Sequence, residues 1–263
     1  MHGFTTMFGA SSTSWSAWRC ETPRLLPAGP ITDSESIMPA SSLPIIVFDL
    51  DGTLVETAPD LIGALNYVLD REGLPPVPLA SARNMIGAGA RKLIERGLEV
   101  EGRAVSVAEL DRLTKDFVAY YADHIADGSR PFDGLDTALD RLEAQGHRFA
   151  VCTNKLEWLS KLLLDRLRLT PRFAAICGAD TFGVAKPDPA FLRETVARAG
   201  GRLPDAIMVG DAGPDVGVAR RAGVPVIGVD FGYTDVPMVE LKPDRLISHM
   251  ADLPEAVASL RKG

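Results

Sequence analysis

From residue 43 onward, short apolar runs alternate with segments of helical periodicity, and this alternation restricts the fold more than any other feature. Such runs, read as strands buried on both faces, occupy residues 44–50, 148–153, 174–178, 206–210 and 224–229, with a weaker one at 244–247. Helical patterns lie between them at residues 135–145, 156–167, 189–199 and 215–222. Short strands joined by crossover helices predict an α/β fold with a doubly wound parallel sheet.

One interval departs from this alternation. Residues 56–130 contain only helical patterns, including 60–72 and 106–127, and the second of these opens with the capping box formed by Ser106 and Glu109. We therefore expect an all-helical cap domain at 56–130, inserted into a core domain made of 44–55 and 131–263. Its position after the first strand would place it over the carboxyl end of the sheet, where α/β enzymes have their sites.

The first 43 residues differ from the rest of the chain. They are rich in Ser, Thr, Pro and Gly and lack sustained periodicity, which predicts a disordered extension. Met38 lies just before the first strand, and the favoured interpretation is that it is the natural start. A transit peptide is the alternative, because no acidic residue precedes Glu21.

Charge and composition exclude several classes of partner. The formal net charge of -7 argues against a nucleic-acid backbone as the main partner. No apolar stretch approaches the roughly 18 residues of a membrane span. The 3 scattered cysteines form no paired motif, which favours a reducing compartment, the cytoplasm. An anionic substrate would therefore need positive charge concentrated at its site.

The strongest chemical signal stands where the first strand ends, in the sequence Asp49-Leu50-Asp51-Gly52-Thr53-Leu54. Carboxylates two positions apart leave a strand end close together, and Gly52 allows a sharp change of chain direction there. One carboxylate can attack an electrophile while the other transfers protons. This pattern predicts covalent catalysis by neighbouring acids.

Four segments together resemble the motifs of the haloacid dehalogenase superfamily. The first is Phe-Asp-Leu-Asp-Gly-Thr-Leu-Val at 48–55, and the others are Thr153-Asn154-Lys155, Lys186-Pro187 and Gly-Asp-Ala-Gly-Pro-Asp at 210–215. Each follows a predicted strand end or lies in the adjacent loop, so a parallel sheet would bring all four to one edge. Ala-Gly-Pro between the acids of the fourth motif departs from the polar residues that are more usual there.

The resemblance implies a Rossmann-like core and a Mg²⁺-dependent phosphatase that forms an aspartyl phosphate. It implies that Asp49 is the nucleophile and that Asp51 is the general acid and base. The implied metal ligands are Asp49, Asp51 through its backbone carbonyl, Asp211 and Asp215. The implied residues that bind the phosphate or the rest of the substrate are Thr153, Asn154, Lys155, Lys186 and Arg91.

Within the superfamily, the segments 54–61, 86–90 and 130–134 and the position of Lys155 are most similar to the phosphoglycolate phosphatases. Arg83 and Arg91 flank a Gly87-Ala88-Gly89 turn, and either could bind a substrate carboxylate or lie on a solvated helix face. The resemblance therefore implies a small phosphorylated metabolite as the partner, with a monomer or homodimer as the assembly.

Several alternatives stay open at this point. A sugar-phosphate phosphatase or a phosphomutase would share Asp49, Asp51 and the cap. Asp51 argues against a dehalogenase, since that branch lacks the second acid. A binding module without activity would be expected to lose one of the acids or Lys186, and none is missing.

Overall fold

The computed structural model describes residues 44–260 and contains a six-stranded parallel sheet beside a two-stranded antiparallel one. The strands are β1 Ile45–Phe48, β2 Val55–Glu56, β3 Arg130–Pro131, β4 Arg148–Cys152, β5 Phe173–Cys177, β6 Ala206–Gly210, β7 Val226–Val229 and β8 Arg245–Ile247. The larger sheet has the order β5-β4-β1-β6-β7-β8. Phe48 at the end of β1 is in register with Val151 of β4 and Val209 of β6, so the carboxyl ends of three central strands meet at one edge.

Residues 44–260 contain ten α-helices, and several of them cover both faces of the larger sheet. The ten are α1 Ala58–Arg71, α2 Leu79–Ala82, α3 Ala90–Val100, α4 Val107–Asp123, α5 Leu135–Ala144, α6 Glu157–Arg166, α7 Pro189–Arg198, α8 Gly213–Ala222, α9 Met238–Leu241 and α10 Leu253–Leu260. Ile45 and Val47 of β1 pack with the side chains of α7 and α8, whereas Ile46 and Phe48 belong to the core on the opposite face, with α5, α6 and α10. The strand is buried on both sides, and the predicted doubly wound α/β fold is confirmed.

The four helices from α1 to α4 form a block between β2 and β3. Ser106 caps α4 as the sequence indicated, because its hydroxyl accepts the Glu109 amide while the Glu109 carboxylate accepts the Ser106 amide. Leu65 of α1 and Phe117 of α4 lie in the buried core of this block. The division into a core of 44–55 and 131–263 and a cap of 56–130 stays a prediction.

The prediction of helical patterns alone across residues 56–130 is wrong at both ends of that interval. Glu56 pairs with Arg130, and Val55 with Pro131, in the antiparallel ribbon of β2 and β3. Two-residue strands are too short to show a period, which is why the sequence did not reveal them. The helix predicted at residues 106–127 is α4, which ends at Asp123 rather than at residue 127.

Other predicted boundaries differ by one or two residues. The strand expected from residue 224 begins at Val226, since Pro225 has no amide proton to donate to a ladder. The helix expected from residue 215 begins at Gly213, with Pro214 in its first turn. The predicted disorder of residues 1–43 lies outside the described residues. Across residues 44–260, every helix is too short or too polar to span a lipid bilayer.

Candidate active site

Three buried carboxylates come together at the carboxyl edge of the sheet. Asp49 follows β1 and Asp211 follows the neighbouring β6, while Asp215 lies in the first turn of α8. One oxygen from each lies within 4.8 Å of the others, and all three side chains are buried. The structure therefore brings together three of the four predicted metal ligands through their carboxylates.

Asp211 is held in place by residues from two loops. The Thr53 hydroxyl donates to Oδ1 at 2.8 Å, and the Tyr233 amide donates to Oδ2 at 2.6 Å. Gly52 has a φ of +86°, and a Cβ at that position would lie 2.4 Å from Asp211 Oδ2. The glycine is therefore required both by its backbone conformation and by the close approach of the carboxylate.

Lys186 lies between two of the acids. Its Nζ is 2.8 Å from Asp49 Oδ1 and 2.6 Å from Asp215 Oδ1, and its side chain is only 1% exposed. Burial alone would lower the pKa of Lys186, but the carboxylates of Asp215 and Asp49 raise it above its ordinary value. Asp215 also accepts the amides of Asp211 and Ala212 with Oδ2, so both its oxygens have hydrogen-bond donors.

The other two acids hold protons more tightly than usual. Burial raises the pKa of Asp49 to about 6, with Asp215 and Asp51 adding to the effect and Lys186 opposing it. Burial raises the pKa of Asp211 well above its ordinary value, and the charges of Asp215 and Asp49 add to this. Negative charge therefore exceeds the positive charge that Lys186 supplies.

These properties fit a bound divalent cation. Asp49 Oδ1 is buried, and the Lys186 ammonium 2.8 Å away is shared with Asp215. A hard cation such as Mg²⁺ prefers carboxylate oxygens and would balance the excess negative charge. Asp49 and Asp211 have the chemistry to bind it, and Asp215 lies in the same group. The predicted role of the Asp51 carbonyl as a ligand stays a prediction.

The Asp51 carboxylate is not a member of this group and binds Lys155. Lys155 Nζ donates to the two Asp51 oxygens at 2.9 and 3.2 Å and to the Tyr121 hydroxyl at 2.9 Å. Burial would lower the pKa of Lys155, but the Asp51 carboxylate and the Tyr121 hydroxyl raise it. Burial raises the pKa of Tyr121 to about 12 despite the nearby ammonium. An ammonium is therefore fixed beside the predicted general acid.

A cavity of about 230 Å³ opens beside Asp49 and Asp51. Six of the predicted site residues line it: Asp49, Asp51, Thr153, Asn154, Lys155 and Arg91. Its remaining wall is largely apolar and includes Leu61, Ile86, Leu93, Phe117 and Leu159. The cavity thus joins the two acids to a small enclosed space with one buried cation.

Asn154 and Thr153 have structural contacts as well as a place in the cavity wall. The Asn154 amide accepts the Lys186 N–H at 2.9 Å and donates to the Lys186 carbonyl at 3.3 Å and to the Gly87 carbonyl at 3.4 Å. Thr153 is 2% exposed, and its hydroxyl accepts the Lys155 amide at 3.3 Å. Asn154 therefore fixes the Lys186 loop, and its predicted contact with substrate stays a prediction.

The two arginines that flank the glycine turn have different surroundings. Arg91 lies at the cavity, but its guanidinium pairs with Asp111 and is 45% exposed. Arg83 turns away and pairs with Glu56 at 2.9 Å. The Arg83 side chain is 32% exposed and also lies over the Tyr233 ring, so it packs against the protein rather than lying on a solvated helix face. The substrate role of Arg91 stays a prediction.

Three residues at or near the site were not predicted from the sequence. Thr53 was part of the first motif, which was a usable signal for its contact with Asp211. Tyr121 was visible only as one member of the apolar face of α4. Tyr233 follows β7 in a segment without periodicity, so nothing in the sequence indicated its contacts.

Comparisons with known proteins agree on one family. A family model described as haloacid dehalogenase-like hydrolase matches residues 46–229. A phosphoglycolate phosphatase of Mesorhizobium japonicum is 49% identical over 208 residues, which cover 79% of this chain and 92% of that protein. Its counterpart in Caulobacter vibrioides is 46% identical over 82% of this chain and 91% of its own length.

Solved structures show the same similarity. The crystal structure of a predicted phosphoglycolate phosphatase from Haemophilus somnus has a TM-score of 0.76 and 28% identity, and the match covers 82% of this chain and 99% of that chain. A putative phosphoglycolate phosphatase from Lactobacillus delbrueckii has a TM-score of 0.75 at 24% identity, with 82% and 98% coverage, and supports the fold alone.

Proposed function

Because this chain belongs to the haloacid dehalogenase-like hydrolase family and is a phosphatase, we propose that it hydrolyses 2-phosphoglycolate with Mg²⁺ and a phosphorylated Asp49. One observation carries the proposal. The carboxylates of Asp49 and Asp51 and the ammonium of Lys155 line the same small cavity. A nucleophile, a proton donor and a cation for an anionic leaving group are thereby available to one bound molecule.

The proposed reaction has two steps. An Asp49 oxygen forms a bond to phosphorus while the bond from phosphorus to the ester oxygen breaks, and Asp51 gives its proton to that oxygen. A water oxygen then attacks the same phosphorus, Asp51 takes the water proton, and the bond to Asp49 breaks. Inorganic phosphate leaves, and both acids return to their starting states.

Other side chains stabilise the charge on the phosphoryl group. Lys186 is 2.8 Å from Asp49 and could neutralise a phosphoryl oxygen there, as could the hydroxyl of Thr153 in the cavity wall. Mg²⁺, when held by Asp49 and Asp211, would reduce the repulsion between an anionic nucleophile and an anionic substrate. The position of Lys186 supports a share of this neutralisation by the protein itself.

The size and polarity of the cavity support a short anionic leaving group. Its volume is about 230 Å³, at or below the lower end of the usual range for small-molecule sites. Lys155 is its buried cation, and a carboxylate is the anion that an ammonium binds through charge-assisted hydrogen bonds. Relatives at up to 49% identity bear the name phosphoglycolate phosphatase. We also expect the protein to act in the cytoplasm, as a monomer or homodimer.

A phosphate-release assay with matched substrates tests the proposal. We expect kcat/KM for 2-phosphoglycolate to exceed that for ethyl phosphate, which lacks the carboxylate, by about 100-fold, because ethyl phosphate cannot accept a charge-assisted hydrogen bond from Lys155. EDTA should abolish turnover, and Mg²⁺ should restore it. Equal rates for both esters would contradict the assigned leaving group. Preferential release from glucose 6-phosphate would indicate a sugar-phosphate phosphatase, and isomerised sugar phosphate without phosphate release would indicate a phosphomutase.

A further inference from the structure

Tyr233 connects the sheet edge with the beginning of the helical block. It lies in the loop after β7 and is 1% exposed. Its backbone amide donates to Asp211 Oδ2 at 2.6 Å. Its hydroxyl oxygen accepts the amides of Thr57 at 2.7 Å and Ala58 at 2.9 Å. One buried residue therefore contacts a carboxylate of the active site with its backbone and the first turn of α1 with its side chain.

The contact with α1 replaces an ordinary helix cap. Thr57 is the N-cap residue, but its side chain makes no capping hydrogen bond, and its buried hydroxyl has no partner within residues 44–260. The Tyr233 hydroxyl accepts two of the amides that every helix leaves free at its N-terminus, and the Glu56 carboxylate also accepts the Ala58 amide at 3.3 Å. The position of the first turn of α1 is thus set by a residue about 176 positions away.

Two more contacts fix the tyrosine ring. Its hydroxyl donates to the Glu56 carboxylate, which belongs to the β2 and β3 ribbon at the entrance to the block. Arg83, from the helical block, pairs with Glu56 at 2.9 Å and lies over the ring at 4.9 Å from its centroid. Tyr233 therefore contacts the connection between the sheet and the block as well as the block itself.

We propose that Tyr233 is a positioning residue that holds the helical block at a fixed distance from Asp211. Helix α1 carries Leu61, which forms part of the cavity wall, so displacement of α1 would open the cavity. The kinetic consequence rests on the proposed function. When fewer molecules have the block in place, the apparent affinity for an enclosed substrate falls by the same fraction.

Hydrogen–deuterium exchange of the full chain tests the positioning role without any activity measurement. Tyr233→Phe keeps the ring and the backbone amide to Asp211 but removes the hydroxyl. We expect exchange in peptides covering α1, α3 and α4 to rise about 10-fold, because the block separates more often as a unit. Tyr67→Phe is the matched control, since it removes an exposed tyrosine hydroxyl from α1, the helix that Tyr233 contacts. Faster exchange confined to residues 57 and 58 would overturn the proposal.

Kinetics and metal binding supply the second measurement. In Tyr233→Phe we expect KM for 2-phosphoglycolate to rise by at most the roughly 10-fold change in block opening, equivalent to about 1.4 kcal/mol, and kcat to change less than KM does. The dissociation constant for Mg²⁺ alone, measured by calorimetry, should stay unchanged because the amide still binds Asp211. A fall in kcat with constant KM would overturn the positioning role. Failure of the unmodified protein to hydrolyse 2-phosphoglycolate would contradict the proposed function, and the exchange measurement would still decide the positioning role.

Discussion

The contact between Lys155 and Tyr121 leads to a quantitative prediction about stability. The Lys155 side chain is 5% exposed and binds Asp51, whose side chain is 13% exposed. Replacing Lys155 with methionine keeps most of the side-chain volume but removes the ammonium. Asp51 then loses its cation, and the fully buried Tyr121 hydroxyl loses its donor.

The magnitude follows from the burial of the two partners. Removing one member of a buried ion pair costs about 3–5 kcal/mol, and the partial exposure of Asp51 places this site near the lower value. Tyr121→Phe alone should cost about 1 kcal/mol, the net value of one hydrogen bond. In the double variant Lys155→Met with Tyr121→Phe, no buried hydroxyl is left without a partner. We therefore expect it to be about 1 kcal/mol more stable than the two single effects imply if they were additive.

Urea denaturation followed by circular dichroism gives the required free energies of unfolding for all four proteins. A domain of ordinary stability, about 5–15 kcal/mol, would still fold after each change. The single variants and the double variant should show equal denaturant slopes, so that the free energies can be compared. Additivity within about 0.5 kcal/mol would refute the reasoning, because it would mean that the ammonium and the hydroxyl do not interact.

Three further predictions concern the acids and the glycine beside them. Asp49→Asn should abolish turnover, whereas Asp51→Asn should lower it about 10²–10⁴-fold. Asp51→Asn should also leave phosphate on Asp49, as detected by mass spectrometry of the peptide that contains it. Phosphate found on Asp51 would reverse these roles. Because burial raises the pKa of Asp49 from 3.8 to about 6, the folded state binds more protons than the unfolded chain, and without divalent cations the free energy of unfolding should fall as pH rises through that interval. Mg²⁺ should weaken this dependence. An identical change of the free energy of unfolding with pH, measured by urea titration with and without Mg²⁺, would contradict the prediction. Gly52→Ala should lower the thermal midpoint and Mg²⁺ affinity together, since its Cβ would lie 2.4 Å from Asp211 Oδ2; unchanged Mg²⁺ binding would show that the carboxylate can move.

The sequence was sufficient to predict the sheet and the convergence of the acids on one edge. Runs buried on both faces identify parallel strands, and the acids follow the strands directly, so that Asp49 and Asp211 meet once β1 and β6 are neighbours. Their chemistry was predictable because the residues that define each motif are close together in sequence.

Contacts between distant segments were not predictable in the same way. Lys155 and Tyr121 are 34 positions apart. The apolar pattern of α4 did not indicate that the Tyr121 hydroxyl would face the loop after β4. Arg91 pairs with Asp111 across two helices, although its position beside the glycine turn suggested a substrate contact. Which groups an arginine or tyrosine finally meets depends on how the helices pack, and a single sequence does not specify that.

The central position of β1 in the sheet has a consequence for biosynthesis. Its partner on one side, β6, begins at Ala206, so Ile45 aligns with a residue made 161 positions later. At about 5–20 residues per second, the ribosome needs roughly 10–30 s to add that length. During this interval one edge of an apolar strand has no native neighbour, and neither Asp211 nor Tyr233 has yet been synthesised. The active site can therefore form only after Tyr233 has been synthesised, and the nascent chain is most exposed to aggregation or chaperone binding before then.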